Sequence, residues 1–244
     1  MFKSKIYDEV FESIGFFHTK EEYRKIDANC NPIQFVTTEK SITENTVIGY
    51  FPGCFAAFHD GHVSVIKKAL AELKDISTDY LLVIAPSNTD YTVKKYGKRS
   101  VYATNYYRYN RILNRLRQDF PGEPIVIDLN PMLNARCDFN FTDLMESFVD
   151  VMTPPNVELN YIPRIILGKD RQHYSALEEL TDRVKFVCVN DTTGLSSSAI
   201  IEDHPLILGK KHCFLRCNNI QEFTLFNKFF VSEYLSVSPM YTIS

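Results

Sequence analysis

The stretch Gly49-Tyr-Phe-Pro-Gly-Cys-Phe-Ala-Ala-Phe-His-Asp-Gly-His62 holds two histidines three residues apart, with Gly53 and Gly61 nearby, and an amphipathic helical period begins directly after it. A β-branched and aromatic run precedes it, so it reads as the loop from the carboxyl end of a parallel strand to the amino end of a helix. Open α/β sheets bind ligands at such loops, and the unpaired N–H groups of a helix start favour an anion. Glycine at 53 and 61 lets the backbone approach phosphate oxygens with no Cβ in the way. His59 and His62 can then aim imidazole N–H donors at a polyphosphate. A second candidate is Thr192-Thr-Gly-Leu-Ser-Ser-Ser-Ala-Ile200, where the hydroxyls of Ser196, Ser197 and Ser198 can cap a helix start and donate to phosphate oxygens. By itself a Ser-rich turn is an ordinary helix cap. A third is the basic segment from Asn88 to Arg111, with Lys94, Lys95, Lys98, Arg99, Arg108 and Arg111. By itself such a run is a solvated face.

Together the segments carry a resemblance. The first resembles the signature loop of the HIGH-motif nucleotidyltransferases, of the type G-x-F-D-P-x-H-x-G-H, with Gly53, Phe55, His59, Gly61 and His62 at the matching places. The second is similar to that superfamily's Ser/Thr signature, of the type I-S-S-T-x-I or G-I-S-T-T. The resemblance covers about residues 46 to 203. It implies transfer of a nucleoside monophosphate from a triphosphate to a phosphate-bearing acceptor, with pyrophosphate released. That reaction needs alignment and charge stabilisation at the α-phosphate more than a strong base, since the nucleophile is already anionic.

By the same resemblance His62, supported by His59, stabilises the developing charge, and Gly53, Cys54, Phe55, Gly61, Ser196, Ser197 and Ser198 hold the nucleotide. Lys94, Lys95, Arg108 and Arg111 hold the acceptor phosphate and the triphosphate. The strand-and-loop RIILGKD (164–170) resembles the G-x-D segment of the mononucleotide adenylyltransferases, which puts Gly168 and Asp170 near the base and ribose and favours AMP transfer from ATP to a nicotinate or nicotinamide mononucleotide. Magnesium is implied, held by phosphates and water and by no dedicated protein site.

The chain departs from the pattern in three places. Ala56-Ala57 stand where Asp-Pro is usual, Ile201 and Glu202 follow the Ser-rich signature where an arginine is common, and Cys54 replaces a Ser or Thr that contacts the acceptor. Two other readings stay open: a cytidylyltransferase, favoured by Gly194-Leu-Ser-Ser-Ser and opposed by Asp191 where that branch has arginine, and a nucleotide sensor that kept the fold and lost turnover. A class I aminoacyl-tRNA synthetase would need a lysine-rich loop in place of GLSSS, a longer chain and a basic surface.

The elements that must position these residues follow from periodicity. TVIGYF, YLLVIAP, PIVIDL, RIILG and VKFVCV are apolar runs of strand length, and helical periods separate them: Val63, Ile66, Ala69, Leu70 and Leu73; Tyr109, Ile112, Leu113, Leu116 and Phe120; FTDLMESFVDVM; and RQHYSALEEL. The alternation predicts an α/β, Rossmann-like, five-stranded parallel sheet flanked by helices over residues 46–203. Residues 1–45 read as an N-terminal extension, and 204–244 as a C-terminal tail with Phe223, Phe226 and Phe230 on one helical face.

Among 244 residues, 30 acidic side chains against 27 basic ones leave a net charge of −3, so no nucleic-acid or membrane partner is expected and any phosphate site must be local. No run approaches the length of a spanning helix, and a cytoplasmic protein is expected. The six cysteines form no pairing framework, and His212, Cys213 and Cys217 lack the second ligand pair that structural zinc requires. A homo-oligomer is compatible with all of this.

Overall fold

The computed structural model describes residues 33–37, 39–87, 89–97, 102, 105–133, 141–168, 183–203, 214–217 and 240–243. The five expected strands are present: β2 (Val47–Gly53), β3 (Tyr80–Pro86), β4 (Ile125–Asp128), β5 (Arg164–Gly168) and β6 (Lys185–Val189). A sixth, β1 (Ile33–Phe35), comes from the N-terminal extension and pairs antiparallel with β4, placing Ile33 opposite Asp128. The sheet order is β1-β4-β3-β2-β5-β6. All pairings except β1 with β4 are parallel. Counting only the parallel strands, the order is 3-2-1-4-5, the Rossmann arrangement. The expectation of five parallel strands is extended by one antiparallel edge strand, which shields the open N–H and C=O groups of β4.

Side chains alternate across the sheet. Val47 and Phe51 of β2 enter one core with Leu82, Ile84, Ile125 and Ile127; Ile48 and Tyr50 enter the other with Leu81, Val83 and Val126. The first core is covered by α1 (Asp60–Ile76) through Val63, Ile66, Ala69, Leu70 and Leu73, and by α3 (Asn105–Asp119) through Tyr109, Ile112, Leu113 and Leu116. The short helix α2 (Thr89–Tyr96) lies between them in sequence. The second core is covered by α5 (Phe141–Met152), which follows the four-residue α4 (Asn130–Leu133) and buries Met145 and Phe148. Helices on both faces explain why the strands read as continuous apolar runs.

The final described helix, α6 (Ser197–Asp203), begins within the Ser-rich signature. The described part of the C-terminal tail consists of β7 (Phe214–Cys217) and β8 (Met240–Ile243), paired parallel in a separate two-stranded sheet. The helices expected over RQHYSALEEL and around Phe223, Phe226 and Phe230 lie outside the described residues, as does Asp170. Among the described residues no helix is long and apolar enough to cross a membrane.

Candidate functional site

From β2 the chain passes to β3 on one side, while β5 leads to β6 on the other, so the carboxyl ends of neighbouring β2 and β5 flank the point where the strand order reverses. A cavity of about 450 Å³ opens there, its wall running from Phe51 to Phe55 at the end of β2 and reaching Gly168 at the end of β5. Its size falls within the roughly 300–1,000 Å³ of small-molecule sites. His59, Gly61 and His62 line it at the start of α1, Lys95 and Tyr96 at the end of α2, and Asp191 with Gly194 to Ser198 between β6 and α6. Two segments about 130 residues apart in sequence, from His62 to Asp191, therefore meet in one cleft.

The two histidines form a reciprocal helix cap. His59 is the N-cap of α1, and its Nδ1 accepts from the Gly61 N–H at 3.1 Å, while Nδ1 of His62 accepts from the His59 N–H at 3.3 Å. The arrangement is a capping box with imidazoles in place of the usual hydroxyl and carboxylate. With Nδ1 accepting from a backbone N–H in both rings, the proton each imidazole carries resides on Nε2, which makes Nε2–H the donor edge of each ring. Burial holds the His59 pKa below its ordinary value, against the opposing pull of Asp191 and Asp60, which favours the neutral ring. The His62 ring stacks on Phe58 at 5.2 Å and meets Phe55 edge-on at 5.1 Å, which fixes its plane.

Phe55 is buried and is the only described non-glycine residue with positive φ, at 49°. Such a conformation costs a bulky residue on the order of 1–2 kcal/mol. Contacts with Phe51, Phe58 and His62 hold it in place. The ring folds back over Gly53, where an added Cβ would come within 2.6 Å of it. A Cβ on Gly61 would lie 2.6 Å from Asp191 Oδ2 and 2.9 Å from His59 Nδ1. Both glycines line the cavity, and the space a Cβ would occupy at each is filled by the protein's own Phe55, Asp191 and His59.

The Ser-rich turn is tied to the first loop. Ser197 Oγ donates to the Ala57 carbonyl at 3.2 Å, so its proton is committed there and it keeps only acceptor capacity. Ser196 Oγ accepts from the Ala199 N–H at 3.1 Å, which leaves its own O–H able to donate into the cavity that Ser198 also lines. Asp191 receives the Thr193 N–H at 2.8 Å in an Asx turn, and the loop is tethered to α1 by Ser64 to Thr192 (3.0 Å) and Lys68 to the Asn190 carbonyl (2.7 Å). Ala56 and Ala57 pack with Cys54 and Tyr102 against Ile200 and Ile201. Burial therefore holds the Ala56-Ala57 stretch in place, and Ile201, one of the two residues that follow the Ser-rich segment, belongs to the same contact.

The basic residues separate clearly. Lys94, Lys95 and Arg111 are all exposed, and of the three Lys95 lines the cavity while Lys94 and Arg111 lie off its wall. Arg108, expected at a phosphate, is fully buried, and its Nη1 donates to the Cys54 carbonyl at 3.1 Å and to the Ser87 carbonyl at 2.8 Å. It clasps the loops that follow β2 and β3, with the Ser87 N–H donating to the Gly53 carbonyl at 2.7 Å beside it. Cys54 is buried with Sγ 3.5 Å from Thr92 Oγ1. Sequence reasoning also missed Arg115, whose Nη2 lies 2.8 Å from both Asp60 and Asp119 and links the start of α1 to α3. Asp191 entered the sequence reading only as a departure, although an acid set between a strand end and the Ser signature was a visible signal.

No family model and no curated protein matches the chain. Among solved structures it is similar to a protein from Vibrio parahaemolyticus provisionally named nicotinate-nucleotide adenylyltransferase, at 17% identity over 65% of this chain and 85% of that one, with a TM-score of 0.45. It is also similar to the NadR protein solved in complex with NR, at 17% identity over 74% of this chain and 49% of that one, with a TM-score of 0.38.

Proposed function

We propose that the chain is a nucleotidyltransferase that moves AMP from ATP to a phosphate-bearing acceptor and releases pyrophosphate, with nicotinate or nicotinamide mononucleotide as the first acceptor to test. The observation that carries the reading is the meeting of the His59–His62 cap, Ser196, Ser198 and Lys95 on one cavity at the strand-order reversal. Several neutral or cationic donors around a single cleft of this size suit a polyphosphate.

In the reaction an acceptor phosphate oxygen attacks the α-phosphorus and the bond to the β-phosphate bridging oxygen breaks. Charge grows on the α-phosphate and on the leaving pyrophosphate, and donors fixed before the reaction stabilise it without reorganising. The Nε2–H groups of His62 and His59 take that role here, since each Nδ1 is locked as an acceptor by a backbone N–H. Lys95 is the cation that would meet the phosphates, while Arg108 keeps the loop carbonyls away from them. Among the described residues no three His, Cys, Asp or Glu side chains form a metal cage. Magnesium carried by the triphosphate would neutralise phosphate charge, with Asp191 the single described carboxylate on the cavity wall.

The experiment is magnesium-dependent pyrophosphate release from ATP and from CTP against a panel of mononucleotide, pantetheine, polyol and sugar phosphates. Release that needs one acceptor and is lost in His62→Ala supports the proposal. Tight nucleotide binding without release across the panel would replace it with a sensor that binds and does not turn over.

A further inference from the structure

The cavity contains one element that opposes its apparent purpose. Most of the polar groups on its wall suit an anion: two imidazole Nε2–H donors, the Lys95 ammonium, the Ser196 hydroxyl and the first turn of the 17-residue α1. Asp191 does not. Its Oδ2 and the His59 ring both lie within 3 Å of the point a Gly61 Cβ would occupy, so this carboxylate sits against the start of α1, where an incoming phosphate would be drawn. It is held there by the Thr193 amide and hydroxyl, and the absence of a side chain at Gly61 makes room for it.

Resting on the reading of the cleft as a polyphosphate site, we propose that Asp191 makes polyphosphate binding conditional on a divalent cation: its carboxylate repels the metal-free ligand and supplies a ligand oxygen to the metal-loaded one. Magnesium in phosphate sites is typically bound through one or two protein carboxylates plus substrate oxygens, and a single carboxylate on the wall matches that habit. Without the cation, a like-charge contact in a partly solvated cleft weakens binding by about tenfold. With it, repulsion becomes bridging. Asp191 therefore selects the charge state of the ligand instead of its base.

The test is equilibrium binding of two probes to the full chain, ATP and inorganic tripolyphosphate, each in excess magnesium and in excess chelator, for the wild type, Asp191→Asn and Asp191→Ala. Asparagine keeps an acceptor for the Thr193 amide, so the turn survives while the charge is lost. The wild type is expected to bind both probes about tenfold or more tightly with magnesium. Asp191→Asn is expected to bind the metal-free probes about tenfold more tightly than the wild type and to retain little benefit from the metal. An unchanged magnesium benefit in Asp191→Asn would overturn the inference and leave Asp191 as a turn former. Coupling seen with tripolyphosphate but no nucleotidyl transfer would uphold the inference and defeat the proposed reaction. No binding of either probe by the wild type would defeat both.

Discussion

Replacing Arg108 by methionine removes the guanidinium and keeps most of the stem. The side chain is fully buried, and the two carbonyls it serves, those of Cys54 and Ser87, belong to the main chain and remain after the change. Exchanging a whole buried ion pair for apolar groups can be neutral, but leaving acceptors without donors is not. Each orphaned carbonyl costs about 1–3 kcal/mol, reduced where loop ends can reach water, so a net loss of about 3 kcal/mol is expected. For a chain of this size that corresponds to a fall in Tm of roughly 6–12 °C. The chain has no tryptophan, so unfolding is best followed by far-ultraviolet circular dichroism in urea and on heating. Arg108→Lys should recover only part of the loss, since one ammonium spans the two carbonyls poorly. Lys95→Met should leave the midpoint unchanged and weaken phosphate binding. An Arg108→Met variant as stable as the wild type, yet impaired in phosphate binding, would refute the clasp and return Arg108 to the ligand.

Four further outcomes are expected. Burial lifts the Asp128 carboxyl to about 6, against weaker opposing pulls from the Asn130 N–H and the Tyr50 hydroxyl, which donates at 3.0 Å. The folded form thus holds this proton more tightly than the unfolded one, and the stability it contributes, about 3 kcal/mol at most, is complete below pH 4 and is lost as pH rises through about 6. Denaturant titrations across pH should show that loss in the wild type and its absence in Asp128→Asn. His62→Asn keeps an acceptor for the His59 N–H but loses Nε2–H, so pyrophosphate release should fall by about 10²–10³ with a smaller stability change than in His62→Ala. The His59 pKa is lowered by burial, so its contribution to stability is present above about 6.5 and is lost as pH falls through the depressed folded value. Ser197→Ala removes the bond to the Ala57 carbonyl and should cost about 1 kcal/mol in urea unfolding while raising KM more than it lowers kcat.

The sheet was readable because its central strands β2, β3 and β4 are buried on both faces, and a strand with no solvated side must be apolar throughout. β1 was not, since three residues at an edge show no period of their own. The two histidine and serine segments were legible from residue type and spacing, but their meeting depends on strand order, which no local pattern encodes. Arg108 illustrates the limit: charge suggested a ligand, although its place four residues before Ile112 puts it on the buried stripe of α3. The same segment gave no means of separating Lys94 from Lys95, because one residue of helical rotation decides which faces the cleft. Gly53 and Gly61 were recognised as needing empty space, and only the tertiary structure shows what fills it.

The contact joining Ala56 and Ala57 to Ile200 and Ile201 bears on how this chain can change over time. The two segments share one small apolar interface, so a substitution in one bears on the other. An arginine introduced at position 201 alone would put a charge against buried alanines, and a larger pair introduced at 56 and 57 alone would strike isoleucines already in place. Each step is disfavoured without the other, and the present pairing acts as a ratchet. Changing both segments together avoids the less stable form that either change alone would give.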